Sequence, residues 1–206
     1  MSTYYKHIEQ ANKYAQGSPN QLFDVAVMVL LSIRQQWSTI GDQMRDVEEH
    51  GEDSKYLFGF KKTGYRYLKK NIDWLYTVTT TASSDYELLD AWSTVPGLGL
   101  VKAGFVLQLA RGVGGCIDLH NMREYGIPAA QLRYDKGLSV KARAIKLRGY
   151  LTLCEELGGS LHLWSQWCVI IAGKQRQHFR TPQAVSRSHL QYLGIPCLLK
   201  REEEAA

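Results

Sequence analysis

The chain has few cysteines and no long apolar run, and each of these absences excludes some classes of protein. Its four cysteines are far apart and form no Cys-x-x-Cys pair, which argues against zinc and iron–sulfur sites and predicts reduced, mostly buried thiols. The longest apolar stretch, Phe23–Ile33, contains Asp24 and ends at Arg34, short of the ~18 residues of a membrane span. The first residues, MSTYYKHIEQ, lack the layout of a secretory signal, so we expect a cytoplasmic protein with no membrane partner.

An excess of positive charge is the main compositional feature. The 206 residues carry 25 Lys and Arg against 20 Asp and Glu, a formal net charge of +5, and 45% of them are hydrophobic, as in one globular domain. Basic side chains cluster over residues 61–70 and 133–148. These clusters are either two solvated helix faces or a footprint for a polyanion such as DNA, and composition leaves both interpretations open.

A helical period dominates the chain and predicts an all-α fold. Capping signals and apolar spacing predict four helices, with these approximate bounds: 18–37, Tyr86–Thr94, Lys141–Leu157 and Leu161–Ala172. The third of them is predicted to turn Ile145 inward together with Leu147 and Tyr150. Tyr76–Thr81 has a strand-like composition, but a loop or a helix end fits it too. We expect one domain over residues 1–183, with residues 184–206 as a tail packed on it or trailing from it.

The segment Val95–Asn121, VPGLGLVKAGFVLQLARGVGGCIDLHN, carries the strongest local signal. Pro96 fixes φ, and Gly97 and Gly99 can take positive φ, so the chain can reverse between two helices while Leu98 fills the gap between them. The first N–H groups of the second helix then point out of the turn, where the helix dipole favours a phosphate oxygen. An αα-hairpin that only packs is the alternative for so short a motif.

Together with its surroundings, this segment resembles the helix-hairpin-helix DNA glycosylase superfamily. The resemblance is carried by three stretches, which together span roughly 150 residues: ELLDAWSTVPGLGLVKAGFVLQLARG…IDLHN, FDVAVMVLLSIRQQW upstream and LHLWSQWCVIIAGK downstream. It implies a two-lobed helical bundle whose hairpin, Gly97–Gly99, grips a DNA phosphate, often through a monovalent cation. It also implies that Gln35 and Gln36 reach a DNA groove, and that Asp118 faces a nucleotide flipped into a cleft between the lobes.

The chain also departs from the superfamily. Val101 stands where glycosylase/lyases carry their Schiff-base lysine, and Lys102 comes one position later. A helix rotation of about 100° is predicted to take the Lys102 amine out of the cleft, which argues against lyase chemistry and leaves Lys102 as a DNA contact. Asp118-Leu119-His120-Asn121, followed by MREYGIP, is similar to a divergent phage branch described as α-glutamyl/putrescinyl-thymine pyrophosphorylases. Members of that branch act as amino acid:DNA transferases in thymine hypermodification.

The branch resemblance implies a reaction at the 5-methyl carbon of a thymine in double-stranded DNA. The amine of a free amino acid such as glycine displaces a phosphate from that carbon, and Asp118, or next His120, takes the proton. Candidate contacts for the substrate or the leaving phosphate are Arg34, Asn121, Arg123 and Lys102. Arg133 or Arg148 can orient the amino acid, with no preference between them. The resemblance implies no metal and no cofactor beyond a cation at the hairpin, and a viral enzyme of this kind acts in the host cytoplasm.

Other interpretations remain open at this point. A monofunctional base-excision glycosylase uses the same carboxylate to activate water or to stabilise an oxocarbenium ion. A non-catalytic DNA-binding module keeps the hairpin alone. Asp118 can simply cap a helix that begins at Leu119, His120 can be structural, and Gln35 and Gln36 can be a solvated helix end. The Asp-Leu-His-Asn sequence and the slightly shortened spacing from the hairpin favour the transferase.

Overall fold

The structure is a computed structural model that describes residues 3–135 and 137–196. Within these residues the fold is all-α, as the sequence predicts, with eleven α-helices, two short 3-10 turns and no strand. The helices have the following bounds: α1 Thr3–Ala15, α2 Pro19–Leu31, α3 Ile40–His50, α4 Phe60–Thr81, α5 Asp85–Ser93, α6 Gly99–Arg111, α7 Leu119–Glu124, α8 Ala129–Leu132, α9 Val140–Glu156, α10 Gly159–Lys174 and α11 Pro182–Tyr192. In the part of the chain that is described, no helix combines the length and apolarity of a bilayer crossing.

Two helices, α2 and α6, form the centre of the molecule. Every side chain from Val25 to Leu31 is buried, and so is every residue from Ala103 to Ala110. A helix that is apolar on all sides must be surrounded by other elements. Accordingly α2 packs against α1, α4 and α6, and α6 also packs against α1 and α5. The hairpin and the segment after α6 are therefore mounted on the most deeply buried part of the fold.

The first predicted helix ends earlier than its apolar pattern suggests. The prediction of a helix through Trp37 is wrong, because α2 stops at Leu31. The Ser32 hydroxyl donates to the Val29 carbonyl (2.7 Å) and so competes with the backbone hydrogen bonds. Arg34 then takes φ 58°, a left-handed conformation found at no other described non-glycine residue. The turn leaves Arg34, Gln35 and Gln36 exposed and buries Trp37 in the core.

The strand-like segment Tyr76–Thr81 forms the last turns of α4, which agrees with the helix-end interpretation. Threonine is neutral to unfavourable inside helices because its hydroxyl competes with the backbone. Here that hydroxyl is satisfied within the helix: Thr79, Thr80 and Thr81 each donate to the carbonyl four residues back. In α9, Leu147 and Tyr150 are buried as predicted, but Ile145 is 63% exposed and its predicted inward orientation is wrong.

The segment predicted as a surface tail belongs in part to the core. The boundary at residue 183 falls inside α11, whose Val185 and Leu190 are completely buried. This helix packs against α10 and α1. The Ser186 hydroxyl receives a hydrogen bond from the Trp164 indole (2.9 Å) and lies 3.0 Å from the Nδ1 of His7. Residues 197–206 of the predicted tail lie outside the described residues.

Candidate functional site

The hairpin between α5 and α6 has the predicted local geometry. Gly97 and Gly99 take φ of 89° and 55°, which confirms the expectation of positive φ at both. Leu98 is buried, as a residue that fills the gap between two helices must be, whereas Gly97 is exposed. A side chain added at Gly99 would meet no atom within 4 Å. The corner is therefore open to solvent and can be approached by another molecule.

The beginning of α4 supports this corner, and two exposed aromatic side chains lie there. Gly64 lets the hairpin come close, since a Cβ at this position would lie 2.5 Å from the Pro96 carbonyl oxygen. Phe60 lies against Gly97, and both Phe58 and Phe60 are exposed, at 57% and 40%. The sequence interpretation missed these residues. The available signal was a glycine between two aromatic residues at the start of a helix whose first turn carries two lysines.

Asp118 is the N-cap of α7, so the capping interpretation of this residue is confirmed. Its Oδ1 accepts hydrogen bonds from the backbone N–H groups of His120 (2.8 Å) and Asn121 (3.3 Å). Its Oδ2 accepts a hydrogen bond from the Trp167 indole (2.9 Å). The carboxylate is thus held at three points and remains half-buried. These contacts leave part of the hydrogen-bonding capacity of the carboxylate unused, because a carboxylate oxygen can accept two hydrogen bonds and Oδ2 accepts one here.

His120 is held by a lysine that the sequence interpretation did not single out. The Nζ of Lys174, at the end of α10, lies 2.6 Å from the Nδ1 of His120. Because an ammonium has no lone pair, Nδ1 must accept, and the neutral ring then carries its proton on Nε2. Burial is the main reason why the pKa of His120 is lowered; the charges of Lys174, Arg123 and Lys102 add to the effect and Asp118 opposes it. At neutral pH His120 is therefore an uncharged hydrogen-bond donor.

Lys102 lies on the side of α6 that faces the end of α2. Its amine donates to the Ser32 hydroxyl (3.1 Å) and lies 5.2 Å from the centre of the Phe105 ring, and its charge lowers the pKa of both His120 and Cys116. The amine therefore lies between α6 and the end of α2, where its charge acts on His120. The expectation that helix rotation takes it out of a cleft stays a prediction.

A second amine lies close to Lys102. Lys61 is buried, and its Nζ donates to the Leu31 carbonyl (2.7 Å) at the end of α2. Burial, together with the charge of Lys102, lowers the pKa of Lys61 to about 8. The carbonyl end of α2 thus carries two amines, one buried and one half-buried, which suits the negative end of the helix dipole.

The structure brings together three segments that the sequence interpretation treated separately. The N–H of Ser38, in the turn after Gln36, donates to the side chain of Gln175 (3.1 Å), the residue after Lys174. Lys102 connects the hairpin helix to the same turn through Ser32. We call Asp118, His120, Lys102, Lys174 and Arg123 the Asp118 site. Of the other predicted residues, Arg34, Gln35 and Gln36 are exposed on the turn after α2.

Asn121, predicted as a substrate contact, has no solvent-exposed surface. It is completely buried, and its Nδ2 donates to the Cys116 carbonyl (2.6 Å), so it supports the entry into α7. Three free thiols, Cys116, Cys154 and Cys168, are buried as predicted, while Cys197 lies outside the described residues. Burial raises the pKa of Cys116 and Cys154 to about 12, so neither is a ready nucleophile. Over residues 3–135 and 137–196, no group of three or more His, Cys, Asp or Glu side chains is placed to hold a metal ion.

No protein-family model, no curated protein and no solved structure matches this chain. The likeness to a known family therefore rests only on the motifs quoted above. Function must be argued from the chemistry of the Asp118 site and of the hairpin, because a fold alone does not determine a reaction.

Proposed function

We propose that the protein is a phage DNA-modifying transferase. It attaches an amino acid such as glycine to phosphorylated 5-hydroxymethyluracil in DNA, and the modification protects the viral genome from host restriction. One observation carries the proposal: a fixed carboxylate and the contacting amine of Lys174 flank a half-buried neutral imidazole whose pKa is also lowered by the charges of Arg123 and Lys102, on a segment that follows a solvent-exposed glycine hairpin. A site with one carboxylate and several cations suits a reaction in which an ammonium and a phosphate meet.

DNA binding is the first part of the proposal. The exposed corner at Gly97 and Gly99 leaves the first N–H groups of α6 available to a backbone phosphate, directly or through a monovalent cation. Gln35 and Gln36 are exposed on the turn after α2, and Phe58 and Phe60 stand exposed beside the hairpin. The net charge of +5 adds attraction that does not depend on sequence. These contacts hold the duplex while the modified thymine is flipped toward Asp118.

The chemical step is a displacement at the 5-methylene carbon of the thymine. Oδ2 of Asp118 accepts a proton from the ammonium of glycine, and the Trp167 indole keeps this oxygen oriented. The freed lone pair forms the new C–N bond, and the C–O bond to the phosphate breaks with its electron pair going to the phosphate oxygen. Nε2–H of His120, together with the cations of Lys102, Lys174 and Arg123, stabilises the leaving phosphate. The glycosidic bond stays intact.

A duplex oligonucleotide with one phosphorylated 5-hydroxymethyluracil tests the proposal. The protein is incubated with this DNA with and without glycine. The DNA is then digested to nucleosides, whose masses are measured by mass spectrometry. We expect a nucleoside that has lost phosphate and gained glycine, only when glycine is present. A free base with an abasic site would establish a glycosylase instead, and unchanged nucleosides with retained DNA binding would leave a non-catalytic module.

Asp118→Asn provides the test of the residue itself. Asparagine also caps helices well, so α7 is retained, but the base is lost. We expect turnover to be abolished while the affinity for DNA stays within about 1 kcal/mol of wild type. Asp73→Asn, at an exposed carboxylate of α4, is the matched control and should retain full activity. Full activity of Asp118→Asn would remove this carboxylate from the mechanism.

A further inference from the structure

A second concave site lies apart from the Asp118 site. A cavity of about 640 Å³ opens between the C-terminal turns of α4, the first turns of α5 and α9. Its volume is that of a small-molecule pocket. Its walls include the rings of Trp74 and Tyr86, the aliphatic Val78, and the charged Glu87, Asp90 and Arg143. Neither the glycines of the hairpin nor any residue of the Asp118 site lines it, so the proposed transferase chemistry leaves it unexplained.

The charges in this cavity are unequal. Arg143 donates from Nε to Asp90 Oδ1 (2.6 Å) and also reaches the Asp90 carbonyl (3.1 Å), so these two charges neutralise each other. Glu87 accepts from the Ser83 backbone N–H (3.2 Å), and within the described residues it has no ion-pair partner. The cavity is therefore lined by one exposed carboxylate that has no ion pair in the described part of the chain, on a protein whose net charge is positive. An anionic ligand is disfavoured here, in contrast to the Asp118 site.

The aromatic walls favour the same sign of ligand charge. Trp74 is 46% exposed, although an indole of this size is usually much more deeply buried, so part of its surface is available in the cavity. Indole and phenol rings attract cations through their negative faces. Tyr86 already does so, since the Arg148 guanidinium lies 5.6 Å from the centre of its ring.

We propose that this cavity is a binding site for a small organic ammonium ion. The ammonium pairs with Glu87, and the apolar body of the ligand packs against Trp74 and Val78. Arg143 shapes the wall but does not repel the ligand strongly, because Asp90 holds and neutralises it. The site goes beyond the proposed transferase function and does not depend on it.

Three ligands of nearly equal size and different charge test the site: 2-phenylethylammonium, 2-phenylethanol and phenylacetate. Binding is followed by the indole N–H signal of Trp74 in ¹H–¹⁵N NMR spectra, which is assigned by its loss in Trp74→Phe. We expect the ammonium to shift this signal saturably, and to bind at least about fivefold more tightly than the alcohol and the carboxylate. Equal binding of the alcohol, or no shift of the Trp74 signal, would overturn the proposal.

Glu87→Gln isolates the charge. Glutamine can replace glutamate as an acceptor at this capping position, so α5 should be retained. We expect the dissociation constant of 2-phenylethylammonium to rise about fivefold. Glu156→Gln, at an exposed carboxylate of α9, is the control and should leave it unchanged. Unchanged affinity in Glu87→Gln would assign the ammonium elsewhere. Since none of these measurements involves DNA, their outcome is separate from that of the transferase assay.

Discussion

Two buried histidines between α1 and α11 predict a strong dependence of stability on pH. His7 and His189 are 2% and 0% exposed, and the Nε2 of His189 lies 3.3 Å from the His7 carbonyl oxygen. Burial, together with the charge of Arg187, lowers the pKa of His7 from 6.5 to about 4. Burial, together with the charge of His7, lowers the pKa of His189 from 6.5 to about 3. Both rings are therefore neutral in the folded protein well below the pH at which they charge in the unfolded chain.

The sign and size of the effect follow from proton linkage. Above pH 6.5 both states are neutral and the histidines cause no pH dependence. Below it the unfolded chain binds two protons that the folded protein does not, and each costs about 1.4 kcal/mol of unfolding free energy per pH unit. Between pH 6.5 and pH 5 this amounts to about 2 kcal/mol for each histidine, and to about 4 kcal/mol for the pair. The loss continues down to the pKa values in the folded protein.

Urea unfolding at pH 7.5 and pH 5.0 measures this loss. His189→Gln can still donate a hydrogen bond to the His7 carbonyl but cannot titrate, so we expect it to lose about half of the difference between the two pH values. His162→Gln, at an exposed histidine of α10, is the control and should show the wild-type difference. Asp24, whose pKa is raised mainly by burial, changes stability in the opposite direction, but it does so equally in wild type and variants. An undiminished pH difference in His189→Gln would refute the reasoning.

Four further variants, at three positions, test the hairpin, the Asp118 site and the turn after α2. Gly97→Val adds a Cβ 2.9 Å from Phe60 at a φ of 89°. It should weaken binding to DNA of any sequence in a filter or anisotropy assay, because phosphate contacts carry no base information. Unchanged affinity would remove the hairpin from the interface. Lys174→Met should convert His120 from the Nε2–H tautomer to a mixture, as seen by ¹⁵N NMR of the imidazole, while an unchanged tautomer would show that Lys174 does not set it. Arg34→Gly should raise the unfolding free energy by about 1 kcal/mol, since it relieves a left-handed φ, and yet slow the transferase step. Arg34→Ala removes the charge but does not relieve the left-handed φ, so it should slow that step without raising the unfolding free energy.

Local chemistry explains why some elements could be predicted. The caps at Ser18 and Ser84 accept hydrogen bonds from the N–H groups of Gln21 and Glu87, as their spacing indicates. The positive φ of Gly97 follows equally from the residue type and its place in the turn. These features depend on residues within four positions of each other, so the sequence contains all the information that is needed.

Other features depend on contacts between distant segments. The contact between Lys174 and His120 joins residues 54 positions apart, and that between Asp118 and Trp167 joins residues 49 apart. Neither spacing leaves a pattern in a single sequence. The position of the Lys102 amine does not follow from helix rotation alone, because its hydrogen-bond acceptor is the Ser32 hydroxyl, 70 positions earlier. The end of α2 has a different, local cause: the Ser32 hydroxyl donates to the Val29 carbonyl, and the apolar pattern does not reveal this competition.

The packing of α11 against α1 affects the order in which the chain folds. The ring of His7 lies against Ser186, 179 positions later, so α1 cannot complete its environment until residue 186 has left the ribosome. Such a closure joins segments far apart in the sequence and belongs to the slow, non-local class of folding events. A polypeptide cut after residue 183 would leave the Trp164 indole and the His7 ring without Ser186, together with the apolar surface that Val185 and Leu190 now cover. The packing of α1 is thus completed only when α11 is in place.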